Sequence, residues 1–394
     1  MIPRTMGPTI LRLAKHYPVI SLTGPRQSGK TTLAKALFPH HSYRNLENPD
    51  VLAAAHADPR TFLNLGSKDP MIIDEVERYP ELLSYMQDEV DTQKLPGRYI
   101  VTGSQNFALV ERVTQSLAGR VAACTLLPLT FTELVAAGKT NNDLFTMALK
   151  GFYPRIYDRP LAVKDFYREY VFTYVERDVR QMKNIGSLAS FQRFLTLVAG
   201  RVGQLVNLSS LASDTGVSYK TIDAWLSILE ASYIIFRLQP YYKNFGKRLI
   251  KSPKLYFYDT GLLCYLLGID THEQLIQHYA MGAITENVVI ADIVKSIAHN
   301  RASERVYFWR DNTGREIDLL LDRGARLTAI EIKAGKTFHP DMIKSLVFWR
   351  GLSPAHVKTV LVYTGKQPYT IGKCHIVNWH IFLTTKPPAT MEWE

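Results

Sequence analysis

Short apolar runs alternate with segments of helical period over residues 18–130. Runs this short, bounded by glycine and proline, read as strands, and their alternation with helices predicts a parallel α/β sheet. Residues 18–23 form the first strand candidate, residues 71–75 the next, ending in two carboxylates, and residues 98–106 a third, ending in polar residues. Residues 161–200 change character: Tyr167, Tyr170, Tyr174, Phe191, Phe194 and Leu195 recur at helical spacing. From 205 to 260 the pattern predicts a short helix, a turn containing Gly216, and a second helix over residues 219–231. Ser218 can cap that second helix, whose apolar face is Ile222, Trp225, Leu226 and Leu229. Strands are expected at 233–238 and 254–258. Residues 281–394 return to α/β order: a helix over 284–297, three strands, a helix and two more strands. These shifts place boundaries at 1–160, 161–204, 205–268 and 269–394.

Composition narrows the class. The chain has 394 residues, 46% hydrophobic and 21% charged, as in ordinary globular proteins of two or three domains. The net charge of +11 suits a polyanionic partner such as nucleic acid. Cys124, Cys264 and Cys374 are far apart, so buried single thiols are expected, not a disulfide framework or a zinc site. No apolar run approaches a membrane span, and residues 1–5 lack a signal-peptide pattern; a cytoplasmic protein without a membrane partner is expected.

The most specific chemistry lies at Gly24, Pro25, Arg26, Gln27, Ser28, Gly29, Lys30 and Thr31. This octet fits G-x-x-x-x-G-K-[ST], and it follows a strand and opens a helix that continues through Thr32. The glycines let backbone N–H groups turn onto phosphate oxygens. Lys30 then meets the β- and γ-phosphates, and Thr31 offers its hydroxyl to Mg²⁺. ATP and Mg²⁺ are the expected cofactors. Asp74 and Glu75 end an apolar strand; in such sites the aspartate holds Mg²⁺ and the glutamate polarises the attacking water. Ser104 ends the next strand and is the preferred γ-phosphate sensor, with Asn106 and Thr102 as alternatives. Arg120 is open to two readings, a charge for a γ-phosphate in its own or a neighbouring subunit, or a solvated helix-end arginine. Arg177 is a weaker candidate for the same role.

Taken together, Gly-Pro-Arg-Gln-Ser-Gly-Lys-Thr, Ile-Ile-Asp-Glu, Val-Thr-Gly-Ser-Gln and Leu-Ala-Gly-Arg resemble a family of prokaryotic AAA+-like ATPases of poorly defined function. The resemblance spans nearly the whole chain. It implies an α/β P-loop AAA+-like ATPase core, a winged-helix segment and a C-terminal PD-(D/E)XK nuclease-like α/β domain. It also implies homo-oligomers, with a hexameric ring expected.

The residues behind the core fit that order. In a winged helix, Ser218, Tyr219, Lys220 and Asp223 would face a DNA groove, and Lys243, Lys247, Arg248 and Lys251 would meet phosphates. The alternative is a packing module. Asp318 lies on one strand, and Glu331 and Lys333, two apart, share a face of the next. Glu286 can join them from the preceding helix. Asp318 and Glu331 are candidate divalent-cation ligands, and Lys333 can steady a nucleophile or transition-state charge. Glu286, Asp318, Glu331 and Lys333 resemble the PD-(D/E)XK pattern. Trp309 and Arg310 can touch a nucleic-acid strand or end a core strand. The leading reading is an ATPase acting on nucleic acid, DNA above all. The rival is a regulatory or scaffold ATPase whose nuclease-like domain only binds a partner.

Overall fold

The structure, a computed structural model, describes residues 2–66, 68–93, 95–104, 117–175, 188–241, 252–324, 326–352 and 357–385. Asn106, Arg177, Lys243, Lys247, Arg248 and Lys251 lie outside the described residues. The chain divides into two compact units. One comprises Met1–Leu129 with Ala231–Tyr233 and Ala298–Arg301; the other holds Thr130–Glu230, Ile234–Ile297 and Ala302–Glu394.

The first unit is built on a parallel sheet of β1 (Val19–Thr23), β2 (Ser42–Asn45), β3 (Met71–Asp74), β4 (Tyr99–Gly103) and β5 (Val121–Thr125), in the order β2-β3-β4-β1-β5. Strand side chains alternate between faces, and both faces here are apolar. Ile20, Leu22, Ile72 and Ile100 pack with the helices Gly7–Ala14 and Lys30–Leu37. Val19, Ile73, Tyr99 and Val101 pack with Leu82, Leu83 and Met86 of the helix Leu82–Gln93. Because β4 lies between β1 and β3, the ends of all three strands face one crevice, where ligands bind in sheets of this kind.

The boundary expected at 160 moves to 129/130. Phe131 is fully buried in the second unit: its N–H donates to Asp292 Oδ1 at 2.7 Å, and its ring meets Trp379 edge-on. The following helices carry Asp259 at their centre. This buried carboxylate accepts the N–H groups of Phe152 and Leu262 at 2.6 and 2.8 Å, the second capping the helix Thr260–Leu266.

The helices Leu208–Thr215 and Tyr219–Ala231 flank Gly216, whose φ of +75° suits the turn. The second helix buries Ile222, Trp225, Leu226 and Leu229 and leaves Ser218, Tyr219, Lys220 and Asp223 exposed. Two antiparallel strands follow, β6 (Ile235–Leu238) and β7 (Lys254–Phe257), with Leu205 bridged to Lys254.

Beyond them the helix Met281–Asn300 leads to β8 (Arg305–Arg310), β9 (Glu316–Asp322) and β10 (Leu327–Lys333). The helix Lys344–Leu352, β11 (Val357–Tyr363), β12 (Tyr369–Ile371), β13 (Cys374–Asn378) and the helix Trp379–Thr384 complete it. Sheet order is β12-β13-β11-β10-β9-β8, with β8, β9 and β10 antiparallel and β10 parallel to β11. The extra strand relative to expectation is β12, three exposed residues with little apolar signal. Trp309 is a core residue, its ring centroid 4.7 Å from that of Trp349, and Arg310 pairs with Glu316; the nucleic-acid reading of Trp309 is thereby corrected. All three cysteines are free and buried. Among the described residues, no helix is long and apolar enough to cross a membrane.

Asp259→Ala leaves two buried N–H groups unpaired, a loss of about 3 kcal/mol. The expected outcome is a melting temperature lower by several degrees; an unchanged melt would remove Asp259 as the centre of this packing.

Candidate functional site

The loop after β1 owes its path to one close approach. Gly24 has φ +146°, and a Cβ there would lie 2.1 Å from the Leu126 carbonyl oxygen. Gln27 (φ +63°) and Gly29 (φ +94°) complete the turn into the helix Lys30–Leu37. Arg4, buried, fastens the loop from outside: its guanidinium donates to the Ser28 carbonyl at 2.7 Å and to the Leu127 carbonyl at 2.6 Å. Lys30 curls into the loop, its ammonium donating to the Gly24 and Pro25 carbonyls, each at 2.9 Å. Burial lowers its pKa, and Glu75, Glu77 and Asp74 oppose that fall.

Asp74 is buried at the end of β3. It accepts the hydroxyls of Thr31 at 2.8 Å and Tyr43 at 2.7 Å on one oxygen, and that of Thr102 on the other. Thr102, an alternative sensor, thus faces Asp74. Glu75 turns out of the strand with φ +56°. Its pKa is pushed up to about 8, first by burial and then by Glu77. Ser104 stands between these groups, as its place at the end of β4 requires. Its hydroxyl donates to Glu77 Oε1 at 2.9 Å and approaches Glu75 Oε2 at 3.4 Å, and its N–H also donates to Glu77 Oε1. Sequence reasoning missed Arg4 and Glu77. Glu77 had a weak signal, a second acid just past the strand end; the short 3₁₀ turn Val76–Arg78 is what brings it back.

Arg120 lies elsewhere. Its carbonyl accepts the N–H of Val19 at the start of β1, the end of the sheet opposite the phosphate loop, and its guanidinium pairs with Asp91. A γ-phosphate role within its own subunit is therefore corrected; a role in a neighbour's site stays a proposal.

The C-terminal residues converge within the second unit. Asp318 on β9 accepts the Ile332 N–H at 2.8 Å. Lys333 donates to Glu331 at 2.6 Å and stands 3.7 Å from Asp318. Glu286 faces the same place: oxygens of Glu286, Glu316 and Asp318 lie within 4.8 Å of one another. Burial, then Asp318, raises Glu286 to about 7 and Glu331 to about 8. Burial works against the charge on Lys333, but Asp318 and Glu331 more than offset it and hold its pKa above the ordinary lysine value. Lys254, Tyr256 and Glu316 were not foreseen: Lys254 and Tyr256 both donate to Glu286, and Lys254 also pairs with Glu316. Lys254 and Tyr256 lie 32 and 30 positions before Glu286, a separation no local pattern encodes.

A phosphate loop after β1, an acidic pair after β3 and a polar strand end between them define a P-loop nucleoside triphosphatase of AAA+-like type. Residues 16–135 match a family described as an AAA domain, and residues 141–273 and 281–382 match two domains of unknown function, DUF8612 and DUF4143. The uncharacterized proteins Rv2008c of Mycobacterium tuberculosis and Mb2031c of Mycobacterium bovis are each 33% identical over 350 residues, 88% of this chain and 77% of theirs. The uncharacterized protein MJ1637 of Methanocaldococcus jannaschii is 24% identical over 331 residues, 69% of this chain and 66% of its own. The Walker-type ATPase PABY2304 of Pyrococcus abyssi is 13% identical, with a TM-score of 0.46, over 68% of this chain and 96% of that one. The chain belongs, with the two mycobacterial proteins, to an AAA+-like ATPase family. Membership implies nucleotide binding, ATPase chemistry and Mg²⁺ as the usual counter-ion.

Glu77→Ala should release Ser104 and lower kcat for ATP at least about tenfold while ADP affinity stays within about threefold. Glu77→Gln keeps an acceptor and should lose less. Equal losses in both variants would show that Glu77 does not act through Ser104.

Glu331 carries a pH signature. Its folded value of about 8 exceeds the ordinary 4.5, so its contribution to stability is full at low pH and is lost as pH rises through about 8. Glu331→Gln cannot ionise, and should flatten the fall in melting temperature between about pH 5 and about pH 9. An identical pH slope in the variant would contradict this assignment.

Proposed function

We propose that the chain binds and hydrolyses ATP and uses the cycle to act on nucleic acid, DNA being the favoured kind, through a C-terminal domain of the PD-(D/E)XK type. One observation carries the reading. Glu286, Asp318, Glu331 and Lys333, spread over 48 positions (286 to 333, both ends included), meet on a unit of helix, three antiparallel strands, helix and parallel strand. That chain order supports a nuclease-like fold. The donor set suits a divalent cation: it is all oxygen, and Glu331 Oε2 is buried with no hydrogen-bond partner among the described residues. Asp318 and Glu331 would hold the ion, with Glu286 beside them and Lys333 next to the scissile phosphate.

In the nucleotide site, Lys30 and the loop N–H groups take the phosphates, and Ser28 brings a buried hydroxyl with no partner among the described residues. Thr31 and Asp74 suit Mg²⁺, which when bound draws charge from the β- and γ-phosphates. Glu75 orients the attacking water, and Ser104 senses the γ-phosphate from its place beside Glu75. The exposed Ser218, Tyr219, Lys220 and Asp223 support a winged-helix contact with DNA. AAA+-like sites fall between subunits, so a ring, a hexamer first, is part of the proposal, with Arg120 acting on a neighbour. A cytoplasmic location completes it. The rival reading, a scaffold ATPase, draws on Lys254 and Arg310, which already neutralise part of the acid cluster.

The test is ATP turnover and DNA cleavage on the same samples. Lys30→Ala should abolish hydrolysis and weaken nucleotide binding; Glu75→Gln should bind ATP but not turn it over. Asp318→Ala should abolish cleavage and leave DNA-free ATP hydrolysis within about twofold of the parent. No cleavage by the parent, with DNA affinity still altered by Asp318→Ala, favours the scaffold.

A further inference from the structure

The acid cluster contains a cation of its own. Lys254, on β7, has a side chain only 3% exposed, yet it lies among carboxylates. Its ammonium is 3.1 Å from Glu286 Oε1 and bonds Glu316 Oε1. The Tyr256 hydroxyl donates to the same Glu286 oxygen, and Arg310 Nη1 holds the other Glu316 oxygen at 3.2 Å. Glu286, Glu316 and Asp318 have the oxygen spacing of a metal-binding trio, but two of the three are already bonded to this ammonium. The other side differs. Lys333 engages Glu331 Oε1 and flanks Asp318, while Glu331 Oε2 is buried with no hydrogen-bond partner among the described residues.

A lysine ammonium is a compact point charge. Placed between two carboxylates, it satisfies the electrostatic demand that a divalent ion would otherwise meet. Removing it would leave the half-buried Glu286 and Glu316 with less compensation, a costly arrangement that favours uptake of another cation.

We propose that Lys254 is the resident cation of the Glu286–Glu316 half of the cluster and excludes a divalent ion from it. Any divalent ion is then confined to the Asp318–Glu331 half, and chemistry that needs two ions is unavailable until Lys254 moves. The proposal rests on the reading of these acids as a cation site.

Mn²⁺ titration by calorimetry tests it, on the full chain in an Asp74→Asn background that takes the phosphate-loop carboxylate out of the count. Lys254→Met should bind one more Mn²⁺ than its parent. Its melting temperature should also rise more on adding Mn²⁺; a Lys254→Met chain that folds only with Mn²⁺ gives the same support. Glu316→Gln supplies a second arm that does not depend on the folding of Lys254→Met. As a partner of Lys254 that neither ligates the ion nor supports a ligand of it, it should leave parental Mn²⁺ affinity within about threefold, whereas loss of a direct carboxylate ligand would cost about tenfold or more. No added Mn²⁺ and no added stabilisation in Lys254→Met, or a tenfold loss in Glu316→Gln, would overturn the proposal. Asp318→Asn separates the two readings. If the parent binds no Mn²⁺ that Asp318→Asn removes, the open half fails as a metal site, yet a gain in Lys254→Met would still uphold the lysine's role.

Discussion

The carboxylate of Asp74 is buried and accepts hydrogen bonds from the hydroxyls of Thr31, Tyr43 and Thr102. Those donors come from the helix behind the phosphate loop, from β2 and from β4. A buried carboxylate short of donors is costly, so each of these elements is held to its neighbour by the need to satisfy one charge. Thr31 cannot drift without breaking that set, and Lys30, one residue before it, is fixed with it. The acid and the phosphate loop are therefore assembled by folding itself. Arg4 does the complementary work on the backbone, tying Ser28 and Leu127 through their carbonyls. Gly24 leaves the room for that closure, since the Leu126 carbonyl occupies the place a side chain would take.

What could be read from the sequence follows the range of each interaction. The phosphate loop, the Asp74–Glu75 pair and the Glu331–Lys333 spacing are local, and the strand-and-helix alternation around them is periodic. They were legible, as were the apolar face of the helix Tyr219–Ala231 and the buried thiols. Arg4, Glu77, Lys254 and Glu316 were not, because their roles exist only once distant segments meet. Arg120 shows the converse limit. Its motif, Leu-Ala-Gly-Arg, precedes a strand in the expected way, but the sequence does not say at which end of the sheet that motif falls. Pairing with β1 decides it, and the pairing puts Arg120 beside Val19.

The boundary at Leu129 has a similar cause. Residues 130–136 carry a capping box, Thr130 with Glu133, that starts a helix wherever it is placed. Nothing in that local code says which core the helix joins. The decision comes from Phe131, whose ring and N–H are satisfied by Trp379 and Asp292, residues far down the chain. A sequence reading that follows alternation alone extends the first unit too far, since a helix after a strand looks the same in either unit.

The two candidate sites solve opposite electrostatic problems. Around the phosphate loop, positive φ angles at Gly24, Gln27 and Gly29 and the curled Lys30 present donors, an arrangement that gains from a polyanion. The C-terminal cluster gathers Glu286, Glu316, Asp318 and Glu331 against Lys254, Lys333 and Arg310, leaving an excess of acid that gains from a cation. The overall charge of +11 describes neither place. Several of the basic side chains are already committed locally, Arg120 to Asp91, Arg201 to Asp214 and Arg237 to Glu230. A long-range field can still draw a polyanion toward the protein, but register must come from exposed groups on a rigid element. Tyr219, 54% exposed at the start of a helix whose other face is buried against Phe191 and Phe194 through Trp225, has that combination. It joins an aromatic surface to a fixed backbone, and Lys220 beside it adds charge. Under the proposed action on nucleic acid, the helix Tyr219–Ala231 would set position and the net charge would serve only approach.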